Sequence, residues 1–552
     1  MKNKIIVYQL LPRLFSNIND TNKPWGGIEE NGCGKLNEFK DTAIESLKKL
    51  GINCIWLTGI IRHATTTDYS QYKITKDNPL IVKGRAGSPY AITDYFDIDP
   101  DLAINVDNRM NEFVELVERI HKHDIKVIID FVPNHVARNY NTSPNYGKNY
   151  ISKTRHLLGA NEDNSKIFEI NNNFYYLPGE VFEVPQEAYD KLTNFMSRDE
   201  ISEYSEFPAK ATGNDCFSAK PSINDWYETV KLNYGIDYRY NSEFFDPIPN
   251  TWLCMNDILN FWAEKGVDGF RCDMAEMVPY QYWKWQIHQI KSKYPEMIFI
   301  AEIYKRNLYD LFLNEAKFDF LYDKVDMYDG LKDIITGKSK VNKITESWQR
   351  TNDFNNKMLR FMENHDEQRI ASNFFSGDPF KALPACIVSA FLHNGPFMIY
   401  NCQELGEKAK DISGFSGDDG RTTIFDYWSM DCQRRWNNEG RFDEEKLTEK
   451  EISLRNKYSM ILNEAVSEIV ISQGKLYDLM WVNQHLIDLN CYAFIKTYEN
   501  RHVIYVVNFN ESSIEIELIL NSHVFDFLGL QIEEKILNIK IPGYWYQKSE
   551  IK

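Results

Sequence analysis

Short, continuously apolar runs alternate along this chain with longer runs whose apolar residues recur every three or four positions. The first kind covers residues 5–10, 53–58, 126–131, 267–272, 297–302, 318–322, 358–362 and 396–400. Apolar residues at consecutive positions suit strands buried on both faces, as in a parallel sheet. The second kind covers 36–50, 108–123, 252–265, 280–293 and 444–464. Gly51 closes the first of these helices, and Asn108 is expected to cap the second.

Eight such units predict an α/β fold, a (β/α)8 TIM barrel whose active site would lie at the carboxyl ends of the strands. An open doubly wound sheet would want a glycine-rich phosphate turn after the first strand. The chain reads Leu10-Leu11-Pro12-Arg13 there, which cannot serve. The alternation breaks at about residue 136 and resumes near 235. Between them lies a stretch rich in Asn, Tyr, Ser and Pro, too long for an ordinary loop and of a kind that shapes binding sites. Beyond about 467 the pattern turns to strands at 491–496, 502–508 and 514–520. The expected organisation is a barrel in two parts, 1–135 and 236–466, an inserted domain at 136–235 and a C-terminal all-β sandwich at 467–552.

Composition narrows the partners. A formal net charge of −17 argues against nucleic acid or an anionic membrane surface and is neutral toward an uncharged ligand. Aromatic residues make up 14%; they fill a large core or stack on sugar C–H faces, and both readings stay open. The nine cysteines show no CxxC or CxxH spacing, so a zinc site or redox dithiol is not expected. The short apolar run at 5–11 meets Pro12 and Arg13 without a small-residue cleavage site. It reads as a first strand rather than an export signal, and a cytoplasmic location follows as the expectation.

The chemistry gathers at predicted strand ends. Arg271 and Asp273 alternate on one strand face, and a neighbouring guanidinium holds a carboxylate ionised in one orientation, as a carboxylate nucleophile requires. Alone, Arg-x-Asp at a strand end is more often an ordinary surface ion pair than a catalytic dyad. Glu302 and Asp366 lie at two further strand ends, with Asp130, His135 and His365 beside them. Several carboxylates, two imidazoles and one guanidinium suit glycosidic cleavage: one carboxylate as nucleophile, one carboxyl as acid, the rest gripping hydroxyls.

Four stretches, Asp130-Phe-Val-Pro-Asn-His135, Gly269-Phe-Arg-Cys-Asp273, Ile300-Ala-Glu302 and Phe361-Met-Glu-Asn-His-Asp366, resemble in order and spacing the conserved regions of the α-amylase family of glycoside hydrolases (glycoside hydrolase family 13). The resemblance covers nearly the whole chain. It implies Asp273 as nucleophile, Glu302 as general acid/base and Asp366 as the carboxylate that binds sugar hydroxyls and distorts the ring. It places Arg271, His135, His365 and the stacking Tyr90 around the glucosyl ring. Where many members carry Lys-His after the nucleophile, this chain reads Glu276-Met277. Glu276 is then either a contact to the leaving-group sugar or a structural residue. Asn134 matches the family's calcium-ligating asparagine and fits a loop-holding role equally. No cofactor is required by this reading; calcium is the one possible metal, with Asn161-Glu-Asp-Asn164 as a candidate source of oxygen ligands or a plain turn. His63 is placed at the cavity rim, and Trp25, Trp56, Trp226 and Tyr304 along a glucan cleft, Trp56 better as core.

The function expected is retaining hydrolysis of α-glucosidic bonds, α-1,4 first, in maltodextrins, starch or glycogen. A transglycosylase (glucanotransferase, maltosyltransferase or sugar isomerase) shares the first half-reaction and remains the alternative. A non-catalytic glucan-binding relative is the remote one. Oligomeric state is not legible.

Overall fold

The structure is a computed structural model that describes residues 4–140, 157–160, 162–197, 201–410 and 417–551. Eight parallel strands close a barrel in sequence order: β1 (Ile6–Leu10), β2 (Cys54–Leu57), β3 (Lys126–Phe131), β4 (Gly269–Cys272), β5 (Ile298–Ala301), β6 (Phe320–Tyr322), β7 (Met358–Phe361) and β8 (Phe397–Tyr400). The seam is made by β1, which pairs with β8 from Ile6↔Phe397 and with β2 from Val7↔Cys54. Every residue of β1, β2, β4, β5, β7 and β8 is buried, as continuously apolar runs demand.

The surrounding helices are α1 (Asp41–Leu50), α2 (Arg109–His121), α3 (Asn250–Glu264), α4 (Tyr280–Lys293), α5 (Asp329–Ile335), α6 (Lys343–Thr351), α7 (Leu383–Phe391) and α8 (Glu449–Ser467). Gly51 ends α1 at φ +108°, its N–H on the carbonyls of Leu47 and Lys48, a left-handed turn that only glycine adopts without strain. Asn108 does not cap α2. A 3-10 turn, Val106–Asn108, precedes it, so Asn108 is already near-helical and its side chain accepts from Asn111 instead. α8 begins five residues later than its periodicity suggests, at a capping box between Thr448 and Glu451 that fixes the start. Between β5 and β6 the ideal pattern fails: the crossover holds only the 3-10 turn Arg306–Leu308 and the π-turn Leu311–Glu315. α8 closes the ring against α1, with Asn463 donating to the Lys49 carbonyl and Arg455 to Ser46.

The insertion leaves the barrel as a strand pair, His135–Ala137 against Thr229–Lys231. A second pair, Tyr176–Leu177 with Ala209–Lys210, lies further out, over a small core of Leu177, Phe182, Ala188, Ala209, Ala219 and Tyr227. The C-terminal region forms an antiparallel sheet of β9 (Lys475–Asp478), β10 (Cys491–Tyr498), β11 (Arg501–Asn508) and β14 (Tyr546–Ile551). A separate pair is formed by β12 (Ile514–Leu520) and β13 (Lys535–Ile541). Two short helices, His485–Asp488 and Ser522–Leu528, interrupt what the sequence suggests is purely β. This sheet shares one continuous core with the barrel; Phe391 of α7 packs on Tyr505 and Tyr546 with ring centroids 5.4 Å away in each case.

Candidate active site

The carboxyl ends of β3, β4, β5 and β7 meet around one buried guanidinium. Arg271 sits opposite Asp130 and Ile300 in the ladder and is fully buried. Its NH1 donates to Asp273 at 2.7 Å and reaches Asp130 at 3.4 Å, and its Nε donates to the Tyr322 hydroxyl at 3.1 Å. Its NH2 lies 2.8 Å from Glu302 Oε2, an ion-pair distance without hydrogen-bond alignment. The backbones of Asp273 and Glu302 extend the ladder one residue past the strands, their N–H groups on the carbonyls of Phe131 and Cys272. Both carboxylates therefore stand on rigid sheet rather than loop. Gly269 belongs to this packing: a Cβ there would lie 2.7 Å from the Ile298 carbonyl oxygen.

Glu302 receives two further donors, the Met274 N–H on Oε2 at 2.7 Å and the Tyr304 hydroxyl on Oε1 at 2.6 Å. Met274 reaches Glu302 from a left-handed conformation, φ +42°, uncommon for a residue with a side chain. Burial raises both the Asp273 and the Glu302 carboxyl against the pull of Arg271. The bond from Arg271 favours ionised Asp273, those from Tyr304 and Met274 favour ionised Glu302, and the charge of Asp273 raises Glu302, so the two carboxyls titrate as a pair. Asp130, accepting from the Trp56 indole at 3.0 Å, is pushed up by burial to about 7.

Asp366 is set by an Asx turn, Asn364 accepting from the N–H groups of 366 and 367. By area its side chain is 46% exposed, yet that surface faces a concavity walled by protein. Desolvation there and the charge of Glu302 shift its carboxyl upward. His365 lies beneath, its Nε2 2.6 Å from the Tyr90 hydroxyl and 3.1 Å from Asp366 Oδ2. Its Nδ1 is 2.7 Å from the Gln9 amide, so with that amide donating, the imidazole proton sits on Nε2 and points to the cleft. Burial first, then Arg271, keeps His365 neutral. The Tyr90 ring stacks on His365 at 5.3 Å. His135 accepts at Nδ1 from Asn134 at 3.2 Å, packs against Trp226 at 5.2 Å, and is driven by burial down to about 3.

Tyr90, His135, Asp273, Glu302, Tyr304, His365 and Asp366 share a cavity of about 280 Å³ that Trp226, Thr229, Ile424 and Phe425 complete. A larger hollow of about 590 Å³, bounded by residues such as Glu407, Trp428 and Cys432, contains none of these carboxylates.

Four expectations change. Glu276 is 8% exposed at its side chain and spends Oε2 on the N–H groups of Tyr304 and Lys305, at 2.9 and 3.0 Å. It ties the loop after β4 to the loop after β5 and lines a neighbouring hollow, not the cavity of the carboxylates; the structure gives it a positioning task in place of a sugar contact. His63 is no rim residue: it is buried between Asp99, at 3.0 Å, and Arg13, at 2.6 Å. Trp25 is buried outside the cavity, stacked on Phe195. Asn134 does not present a free ligand oxygen. Its Oδ1 accepts from the Lys231 ammonium and its Nδ2 donates to the Gly213 carbonyl at 2.7 Å. With an ammonium already among them, these oxygens do not fit a divalent ion. Asn161 of the other candidate loop lies outside the described residues, Glu162 accepts from the N–H groups of Asn173 and Phe174, and among the described residues no group of three or more His, Cys, Asp or Glu could hold a metal.

Gln9, Tyr322 and Met274 escape motif reading, while Trp56, expected in the core, is buried there and donates to Asp130. Gln9, a polar residue in the apolar run of β1, is the one that carries a visible signal. No helix among the described residues is long and apolar enough to cross a membrane.

The α-amylase catalytic-domain family matches residues 9–181 and 248–443 of this chain. The chain is similar to trehalose-6-phosphate hydrolase of Bacillus subtilis (strain 168), 23% identical over 450 residues, a match covering 75% of this chain and 66% of that protein's length. It is similar to alpha-amylase 3 of Dictyoglomus thermophilum, 23% identical over 509 residues, covering 86% of this chain and 84% of the other. Among solved structures it superposes on the cyclic alpha-maltosyl-(1→6)-maltose hydrolase from Arthrobacter globiformis, with TM-score 0.62, 15% identity and 99% and 98% of the two chains covered. The carboxylates at the strand ends, the insertion after β3 and the catalytic-domain match agree: this chain belongs to the α-amylase family of glycoside hydrolases.

Proposed function

We propose that the enzyme cleaves α-glucosidic bonds, α-1,4 first, in maltodextrins, starch or glycogen by a two-step retaining mechanism. The observation that carries this reading is the fork of Arg271 between Asp273 and Glu302 on the floor of the 280 Å³ cavity. One guanidinium orients both carboxyls, and like charges gathered around it resist ionising together. A proton kept on one of the pair lets the other act as nucleophile, the division of labour a nucleophile and a general acid need.

In the first step Glu302 protonates the glycosidic oxygen while Asp273 attacks the anomeric carbon. The leaving sugar departs with its new hydroxyl and a glycosyl ester forms on Asp273. In the second, Glu302, now ionised, takes a proton from water, which opens the ester and regenerates both groups. Asp366 and the Nε2–H of His365 grip hydroxyls of the attacked ring, the Tyr90 face supports it, and neutral His135 donates or accepts from the insertion side. The nine free thiols, seven of them buried, suit a reducing compartment and support action inside the cell on imported or stored glucan.

The test is a product profile from maltoheptaose with Asp273→Asn as control. Shorter maltodextrins alone support hydrolysis. Products longer than the substrate replace it with transglycosylation, and inertness of the wild type here and on α-1,6-linked glucans overturns the reading.

A further inference from the structure

Lys231 is 1% exposed and lies directly opposite His135 in the strand pair that opens the insertion. Its ammonium touches three oxygens from three segments. Asn134 Oδ1 belongs to the loop after β3, Asp215 Oδ1, at 2.7 Å, to the insertion, and the Met277 carbonyl, at 3.3 Å, to the turn after β4. An ammonium carries three protons and no acceptor, so three acceptors saturate it. The oxygen set, one amide, one carboxylate and one main-chain carbonyl, is of the kind that holds a hard cation. A calcium ion, however, wants six to eight oxygens and would have to displace a buried ammonium that already holds these three.

We propose that Lys231 is a built-in cation: its ammonium cross-links the loops after β3 and β4 to the insertion, which makes the site self-sufficient without a divalent metal. The segments it joins hold working parts. Asn134 also donates to the Nδ1 of His135, and Met277 closes the 3-10 turn, Ala275–Met277, that follows Asp273 and Met274. The Leu232 N–H returns to the Asn134 carbonyl at 3.0 Å and the Lys231 N–H to that of Ala211 at 2.9 Å, so backbone and side chain of the same residues act together. Lys231 touches no part of the cavity of the carboxylates and is a positioning residue. The inference stands whether the enzyme hydrolyses or transfers.

The test uses the full chain. Thermal melts of the wild type with a strong chelator and with added calcium should coincide, and metal analysis after desalting should find no stoichiometric calcium. A calcium-dependent rise in Tm, or one retained ion per chain, overturns the proposal. Lys231→Met keeps the length of the stem and removes the charge, leaving Asp215 and Asn134 without their cation. It should lower Tm by roughly 3–4 °C and, assayed well below its own Tm, lower kcat/KM by about tenfold or more. Wild-type Tm and kcat/KM in this variant overturn the proposal. Should Lys231→Met not fold, Asp215→Asn decides, since Asp215 is 39% exposed at its side chain and its replacement is tolerable. A fall in Tm that calcium does not restore supports the built-in cation, and wild-type behaviour overturns it.

Discussion

Tyr304→Phe isolates one hydrogen bond to the proposed acid. The Tyr304 hydroxyl donates to Glu302 Oε1 at 2.6 Å and favours the ionised carboxylate. Hydrogen bonds to charged groups are worth about 1.5–3 kcal/mol, and one pK unit corresponds to about 1.4 kcal/mol. Removing the hydroxyl would raise the Glu302 pKa by about 1–2 units in a dry site. Tyr304 lines an open cavity, where water replaces part of the bond, so about one unit is expected. Glu302 keeps the Met274 N–H at 2.7 Å and the charge of Arg271, so its position holds. As the acid it must be protonated, and kcat/KM falls on the alkaline side as it ionises. The substitution therefore moves the alkaline limb of kcat/KM for maltodextrin hydrolysis to higher pH by about one unit and leaves Tm nearly unchanged. An alkaline limb that stays put, or shifts to lower pH, refutes the assignment of Glu302 and the sign of the Tyr304 contribution together.

Asp273→Asn keeps the bond to Arg271 but abolishes the nucleophile; single-turnover rates should fall by at least roughly a thousandfold, and a fall of less than tenfold rejects its role. Asp130, raised by burial from an ordinary carboxylate value to about 7, is most compatible with folding while protonated. Its contribution is intact below about pH 4 and is lost as pH rises through 7. Asp130→Asn should accordingly raise Tm above neutrality, by at most roughly 4 kcal/mol in stability, with no gain near pH 4; scanning calorimetry at both ends would expose an equal effect. Glu276→Ala frees two main-chain N–H groups and should cost about 2–3 kcal/mol without altering the ratio of transfer to hydrolysis. A changed ratio in the product profile restores Glu276 as an acceptor contact. Gly269→Ala forces a methyl against the Ile298 carbonyl and should depress Tm by several degrees, read by circular dichroism.

The strands were legible because each is buried on both faces and so carries an apolar residue at nearly every position; β3 matches its apolar run residue for residue. The three carboxylates were legible together rather than singly: one Arg-x-Asp could be a surface ion pair, but three carboxylates at or just past strand ends, within four motifs that resemble one family, point to one site. Less visible was whatever depends on two distant segments meeting. Gln9 and His365 are 356 residues apart, and nothing local in either announces the bond that fixes the imidazole. Asn134 illustrates the opposite failure. Its neighbours mark it as a ligand, but the identity of the cation is decided by Lys231, 97 positions later, inside a stretch with little periodicity. Glu276 reads from its place after the nucleophile as either a sugar contact or a structural residue, and the partners that decide between them are backbone N–H groups, which no side-chain pattern reports.

The seam of the barrel sets the timetable of its synthesis. β1 is synthesised some 390 residues before its partner β8, which begins at Phe397. At about 5–20 residues per second β1 waits about 20–80 seconds with one edge open. It is five buried residues long, with Ile6, Val7, Tyr8 and Leu10 among them, and such a segment invites pairing with other nascent chains. Conditions that speed elongation or crowd translating chains should therefore reduce the soluble yield of this protein more than its equilibrium stability would suggest, and slower translation at low temperature should recover it.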